Sequence, residues 1–118
     1  MGKKILLDTN FVISCIKNRI DFFDELKYQG YELYVPMQVL RELEKLKDYS
    51  AKVAIQILEN KEIKKINLEV NYVDEGIARF CEKNKEFILA TLDEDLKDRV
   101  SNPKMIIRNR KSLELIHK

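Results

Sequence analysis

Apolar positions in this chain alternate between short runs and longer segments that repeat every three to four residues, the periods of strands and amphipathic helices. Residues 5–7 (Ile-Leu-Leu) form the first short run, and Phe11, Val12, Ile13 and Ile16 the first helical stripe. Residues 20–28 predict a second helix stopped by Gly30, and residues 31–35 a strand. Pro36 then takes the first position of a helix carrying Val39, Leu40, Leu43 and Leu46. Ser50 is placed to cap a helix through Leu58, residues 64–68 predict a short strand, and Asn71 is placed to cap a helix with Ile77, Phe80 and Cys81 on one face. Residues 87–90 predict a strand, 93–100 a short helix, 105–107 a strand after Asn102-Pro103, and 113–116 a terminal strand or helical turn. Strands that alternate with helices predict an α/β fold: a mostly parallel sheet with helices on both faces and a site outside the carboxyl ends of the strands. With neither a linker nor a repeat in the pattern, residues 1–118 are expected to form one domain.

Composition narrows the class. Apolar residues make up 45% and charged residues 36%, with few Gly and Pro, which excludes disordered and collagen-like chains. No apolar run approaches the roughly 18 residues of a membrane span, and the N-terminal segment lacks the apolar length of a signal peptide. The expectation is a cytoplasmic protein with no membrane partner. Cys15 and Cys81 fall within helical apolar stripes without paired spacing, as buried reduced thiols do. A net charge of +2 does not announce a nucleic-acid partner, so any basic footprint has to come from local clustering.

The chemistry rests on carboxylates. Asp8 follows the first strand, and Asp93 and Asp95 follow the strand at 87–90, so acids from distant segments converge on one carboxyl edge. Each also has an ordinary explanation, as a helix cap or a first-turn acid facing the helix dipole. Convergence changes the weighing, because two such charges at about 4 Å repel by roughly 4 kcal/mol at an effective dielectric near 20, a cost that a cation removes. Asp74 lies three and seven residues before Ile77 and Cys81 on an apolar stripe, with Glu75 turned toward solvent; opposite Asn71 it also fits a variant capping box. In the third helix Glu42 and Glu44 flank the stripe on opposite sides, and periodicity does not choose between them. Hard oxygen ligands from several segments are how Mg²⁺ or Mn²⁺ is held. The single histidine, His117, stands at the far end, so zinc sites, Ser/His/Asp triads and histidine-based RNA cleavage lack their central residue. Gly2, Gly30 and Gly76 make no phosphate loop, which removes kinase and dehydrogenase readings.

The order Leu-Leu-Asp-Thr-Asn-Phe (6–11), Val-Leu-Arg-Glu-Leu-Glu-Lys-Leu (39–46), Asp74 and Ala-Thr-Leu-Asp-Glu-Asp-Leu (90–96) resembles PIN-domain nucleases over nearly the whole chain. It is especially similar to the branch that processes small-subunit ribosomal RNA, while VapC-type toxins share the fold and the acids. The resemblance implies a three-layer α/β/α, Rossmann-like PIN domain in which Asp8, Glu42, Asp74 and Asp93 form an acidic quartet, with Asp95 a further acid near the metal. It implies that Thr9, Asn10 and Thr91 orient the acids and water. It also implies one or two Mg²⁺ or Mn²⁺ ions assisting hydrolysis of RNA phosphodiesters. The partners it implies are RNA, a second copy in a homodimer, and an antitoxin or a ribosome-assembly protein. Cations expected to meet RNA are Lys17 and Arg19 after the first motif, and Lys97, Arg99, Lys104, Arg108, Arg110 and Lys111 after the last. Tyr72 and Phe11 are candidates for base stacking, although Phe11 also reads as core. Three functions compete: a processing or quality-control endoribonuclease, a VapC-like toxin, and a non-catalytic binding module, the last disfavoured because every acid is present.

Overall fold

The computed structural model describes residues 2–117. Its elements are β1 (Lys4–Leu7), α1 (Thr9–Lys17), α2 (Phe22–Tyr28), β2 (Glu32–Pro36), α3 (Met37–Lys45), α4 (Tyr49–Leu58), β3 (Lys64–Ile66), α5 (Val73–Lys83), β4 (Phe87–Ala90), α6 (Glu94–Arg99), β5 (Lys104–Arg108) and β6 (Ser112–Ile116). The strands form one sheet in the order β3-β2-β1-β4-β5-β6, parallel except for the β5–β6 pair. Helices cover both faces, giving a three-layer α/β/α architecture.

Burial on both faces follows from the β1 sequence. Ile5 and Leu7 point into a core with Phe11, Val12, Cys15, Val39, Leu43, Ala51 and Ala54 of α1, α3 and α4. Leu6 points the other way, against Ile77 and Cys81 of α5 and Leu96 of α6. A central parallel strand must be apolar on successive residues for this reason. Both cysteines are free and fully buried, and burial pushes each thiol up to about 12.

Several boundaries differ from the sequence expectation. Asp48, whose side chain accepts from the Ala51 amide at 2.8 Å, caps α4 in place of Ser50. Helix α5 starts after Tyr72, with no side-chain cap from Asn71. Asp21 caps α2, two residues before Phe23, so Ile20 lies outside the helix. Pro36 closes β2 in an extended conformation and α3 begins at Met37. Leu46 lies beyond the end of α3 and is 43% exposed. The terminal segment is a strand rather than a helical turn, returning antiparallel through Asn109 and Arg110, both at positive φ (54° and 58°), the backbone of a tight hairpin turn.

Gly76 sets how closely the 67–72 loop approaches α5. A Cβ built there would lie 2.5 Å from Val70 Cγ2 and 2.9 Å from Leu68 Cβ. Alanine is the better helix former by about 1 kcal/mol, yet overpacking costs about 1–3 kcal/mol. Gly76→Ala is therefore expected to lower the urea midpoint of unfolding, whereas a midpoint that rises would show that the loop yields freely.

Candidate active site

The strand order reverses between β1 and β4, since the chain builds outward through β2 and β3 on one side and through β5 and β6 on the other. Ligand sites of open α/β sheets lie outside the carboxyl ends of the strands at such a point. Asp8 directly follows β1, and its amide donates to the Ala90 carbonyl at the end of β4 at 3.0 Å. Asp93 stands three residues beyond Ala90. Both acids cap helices: Asp8 opens α1, accepting from the Thr9 amide at 2.8 Å, and Asp93 opens α6, accepting from the Leu96 amide at 3.1 Å. The capping explanation and the convergence explanation therefore hold together.

A cleft of about 480 Å³ opens at this edge, lined by Asp8, Thr9, Asn10, Glu42, Lys45, Leu46, Asp74 and Asp93. Glu42 reaches it from α3 and Asp74 from the first turn of α5. Glu44 is exposed outside the cleft. Asp74 is exposed rather than turned into the core, because the stripe it shares with Ile77 and Cys81 runs off the apolar layer at the helix start and onto the cleft. Glu75 is not free in solvent: it accepts from Arg79 at 3.1 Å and from Arg99 at 2.8 Å, tying α5 to α6. Asp95 is exposed on α6 and stands outside the cleft wall, yet close enough to Asp74 to raise its pKa.

Two threonines fix the acids. The buried Thr91 hydroxyl donates to Asp8 Oδ2 at 2.8 Å and accepts from the Asp93 amide at 3.1 Å, so one side chain links the β1 and β4 motifs. The Thr9 hydroxyl donates to Glu42 Oε1, joining α1 to α3. Asn10 is exposed on the cleft wall.

The expected cations are placed differently. Lys17 and Arg19 lie at the far end of α1, a helix whose nine residues rise about 13 Å away from Asp8. Lys104 is 1% exposed and donates to the Val100 carbonyl at 2.6 Å, which removes it from any RNA-facing set. Lys97 pairs with Glu94 at 2.8 Å, Arg108 with Glu114 across the β5–β6 hairpin, and Arg110 occupies the turn of that hairpin, with the exposed Lys111 beside it. Arg99 lies near enough to Asp74 to lower its pKa. Phe11 is fully buried, whereas Tyr72 is 80% exposed. The cation in the cleft wall is Lys45, one that the sequence reading passed over. Its signal was available, because Lys45 lies three residues after Glu42 on the same side of α3.

Burial and the neighbouring acids raise the affinity of Asp8 and Asp74 for protons. Burial pushes the Asp8 carboxyl from its ordinary 3.8 up to about 6; the Thr91 and Thr9 hydrogen bonds oppose this, and the Asp74 and Glu42 charges add to it. Asp74 is raised by burial first, then by Asp93 and Glu42. Among the described residues, no three Asp, Glu, His or Cys side chains close into a ready ligand set. The acids line a wall instead. An all-oxygen donor set of this kind suits a hard divalent ion, and Mg²⁺ in particular is held by one or two carboxylates together with water and substrate phosphate rather than by a protein cage.

The raised Asp8 value has a consequence for stability. Between pH 3.8 and about 6 the folded protein holds a proton on Asp8 that the unfolded chain has released, so stability falls as pH rises, by about 3 kcal/mol across the window. Asn caps a helix as well as Asp does. In chelator, the unfolding free energy of Asp8→Asn relative to the native chain is expected to gain that amount between pH 3.5 and 7, and a difference that stays constant with pH would refute the burial argument.

Comparison with known proteins follows the same outline. The family model described as a PIN like domain matches residues 5–111. Ribonuclease VapC4 of Methanocaldococcus jannaschii is 30% identical over 125 residues, with 95% of each chain covered. The rRNA-processing protein fcf1 of Schizosaccharomyces pombe is 29% identical over 81% of this chain, which spans 52% of that protein's length. The solved PIN domain endonuclease Utp24 superimposes with a TM-score of 0.86 at 25% identity, covering 98% of this chain and 92% of the other. The sheet order, the acids at its switch point and the match over residues 5–111 lead to one assignment: this chain belongs to the PIN-like domain family.

Proposed function

We propose that this protein is a divalent-metal-dependent endoribonuclease that hydrolyses RNA phosphodiester bonds, acting in ribosomal-RNA processing or RNA quality control. The observation that carries the reading is the meeting of Asp8, Glu42, Asp74 and Asp93 in one cleft from four separate segments. The ribonuclease and rRNA-processing relatives and the Utp24 likeness support it. PIN-domain nucleases generally use divalent metal ions. In this chain those four acids would hold Mg²⁺ or Mn²⁺, with Asp95 an outlying acid beside Asp74.

Hydrolysis joins a water oxygen to phosphorus and breaks a phosphorus–oxygen bond to a neighbouring sugar. When bound, the ion supplies Lewis-acid chemistry, acidifying water and offsetting charge on the phosphate oxygens. The chain's own residues supply position. Thr91 and the Thr9 amide hold both Asp8 oxygens in one orientation, and Thr9 turns Glu42 toward the same cleft. Asp93 is held by the first turn of α6. With its carboxyl raised only to about 6, Asp8 is largely ionised at neutral pH and able to hold a cation. Lys45 presents positive charge to an incoming phosphate in a cleft that otherwise repels one.

A second reading, a toxin ribonuclease held in check by an antitoxin peptide, is favoured by the end-to-end match to Ribonuclease VapC4. Co-purification of a small partner protein that suppresses cleavage would select it over the processing role.

Cleavage of end-labelled RNA in Mg²⁺ or Mn²⁺ tests the shared chemistry. Asp8→Asn is expected to remove cleavage while the circular-dichroism spectrum stays native, and Thr91→Val to lower it by about 10- to 100-fold, the usual effect of losing a group that orients a ligand. Cleavage that persists in Asp8→Asn, or in chelator, would overturn the proposal.

A further inference from the structure

A second groove of about 220 Å³ runs on from the acid cleft, sharing Glu42 and Lys45 with it and bounded further out by Arg41, Asn71 and Tyr72. Arg41 and Lys45 stand one helical turn apart on α3, where like charges repel. Among the described residues neither takes part in an ion pair. An anion between them would relieve that repulsion. Tyr72, at the start of α5, lines the same groove with 80% of its surface exposed.

The far wall is built rather than loose. Gln38 is 7% exposed, and its amide donates to Asn67 Oδ1 at 3.0 Å and to the Val70 carbonyl at 3.2 Å while accepting from the Leu68 amide at 3.3 Å. These bonds hold the 67–72 loop against α3 through a residue at positive φ, Glu69 (63°). Gly76 admits the same loop against α5. An exposed aromatic ring on a fixed loop, in one groove with paired cations, is how single-stranded nucleic acid is bound without reading sequence: cations follow the backbone and the ring stacks on a base.

We infer that this groove takes the single-stranded RNA segment next to the bond being cut, with a backbone phosphate between Arg41 and Lys45 and a base stacked on Tyr72. The inference rests on the nuclease reading for its substrate and adds the strand's path out of the cleft. It makes the enzyme selective for unpaired RNA on this side of the cut, because a base held in a duplex offers no free face to Tyr72.

Fluorescence anisotropy with a labelled single-stranded oligoadenylate tests it. The full chain carrying Asp93→Asn is the parent, which keeps the α6 cap and spares the probe from hydrolysis. Tyr72→Ala is expected to weaken binding about tenfold, and Tyr72→Phe to restore it, as one base–aromatic stack would. Arg41→Gln is expected to lower the slope of log affinity against log salt by about 0.7, the loss of one single-strand phosphate contact. Tyr28→Ala, which removes a ring of similar exposure on α2 outside both cavities, leaves binding unchanged. Parental binding in both Tyr72→Ala and Arg41→Gln, or competition by duplex RNA as strong as by the single strand, would overturn the groove. Cleavage assays on chains with native carboxylates separate the two ideas. Asp8-dependent cleavage with parental binding in both Tyr72→Ala and Arg41→Gln keeps the nuclease and removes the groove, whereas Tyr72-dependent binding without Asp8-dependent cleavage keeps the groove and removes the nuclease.

Discussion

Asp8 is buried to 4% exposure, with Glu42 and Asp74 close enough to oppose its ionisation. Left to itself, a carboxylate so placed would take up a proton or move toward water. The fold forbids the second course. Asp8 is pinned by the β4 backbone, by the first turn of α1 and by Thr91, and each of those is fixed by the apolar layers on either side of β1. The sheet thus holds charges at a separation that they would not choose, and the switch in strand order is what brings the β1 and β4 acids to one place. Helices α3 and α5 then aim Glu42 and Asp74 at the same cleft from opposite sides of the sheet.

Much of this was legible along the chain. The consecutive apolar residues of 5–7 and 87–90 mark strands buried on two faces, and their alternation with helical stripes leads to a parallel sheet without knowledge of any contact. Asp8 and Asp93 could be placed at one edge because each directly follows such a strand. Glu42 could not be told from Glu44 by period, since both flank the stripe; the choice depends on which side of α3 meets α1, a tertiary fact expressed in the bond from Thr9.

What sequence pattern misjudged has physical causes. Ser50 and Asn71 are good capping residues by type, but Asp48 takes the first place by accepting from the Ala51 amide, and α5 starts after Tyr72 because the 67–72 loop is set by packing against Gln38 and Gly76. Lys104 looks like a surface cation by type, yet its ammonium is drawn inside by the Val100 carbonyl at the end of α6. Proximity in sequence to the last acidic motif was likewise a poor guide to cations, because β5 and the hairpin carry Arg108 and Arg110 away from the cleft while α3 brings Lys45 into it. Of the cations after that motif Arg99 stays near Asp74, while the cation that lines the cleft comes from α3, the helix that crosses the site.

The central claim is that the fold gathers carboxylates to hold a divalent cation, and calorimetric titration of Mn²⁺ tests it without reference to any substrate. The native chain is expected to bind Mn²⁺, and the Asp8→Asn/Asp93→Asn double variant, which keeps both helix caps, to lose that binding. Binding that is equal in the two proteins, or absent from the native chain at millimolar Mn²⁺, would contradict the account.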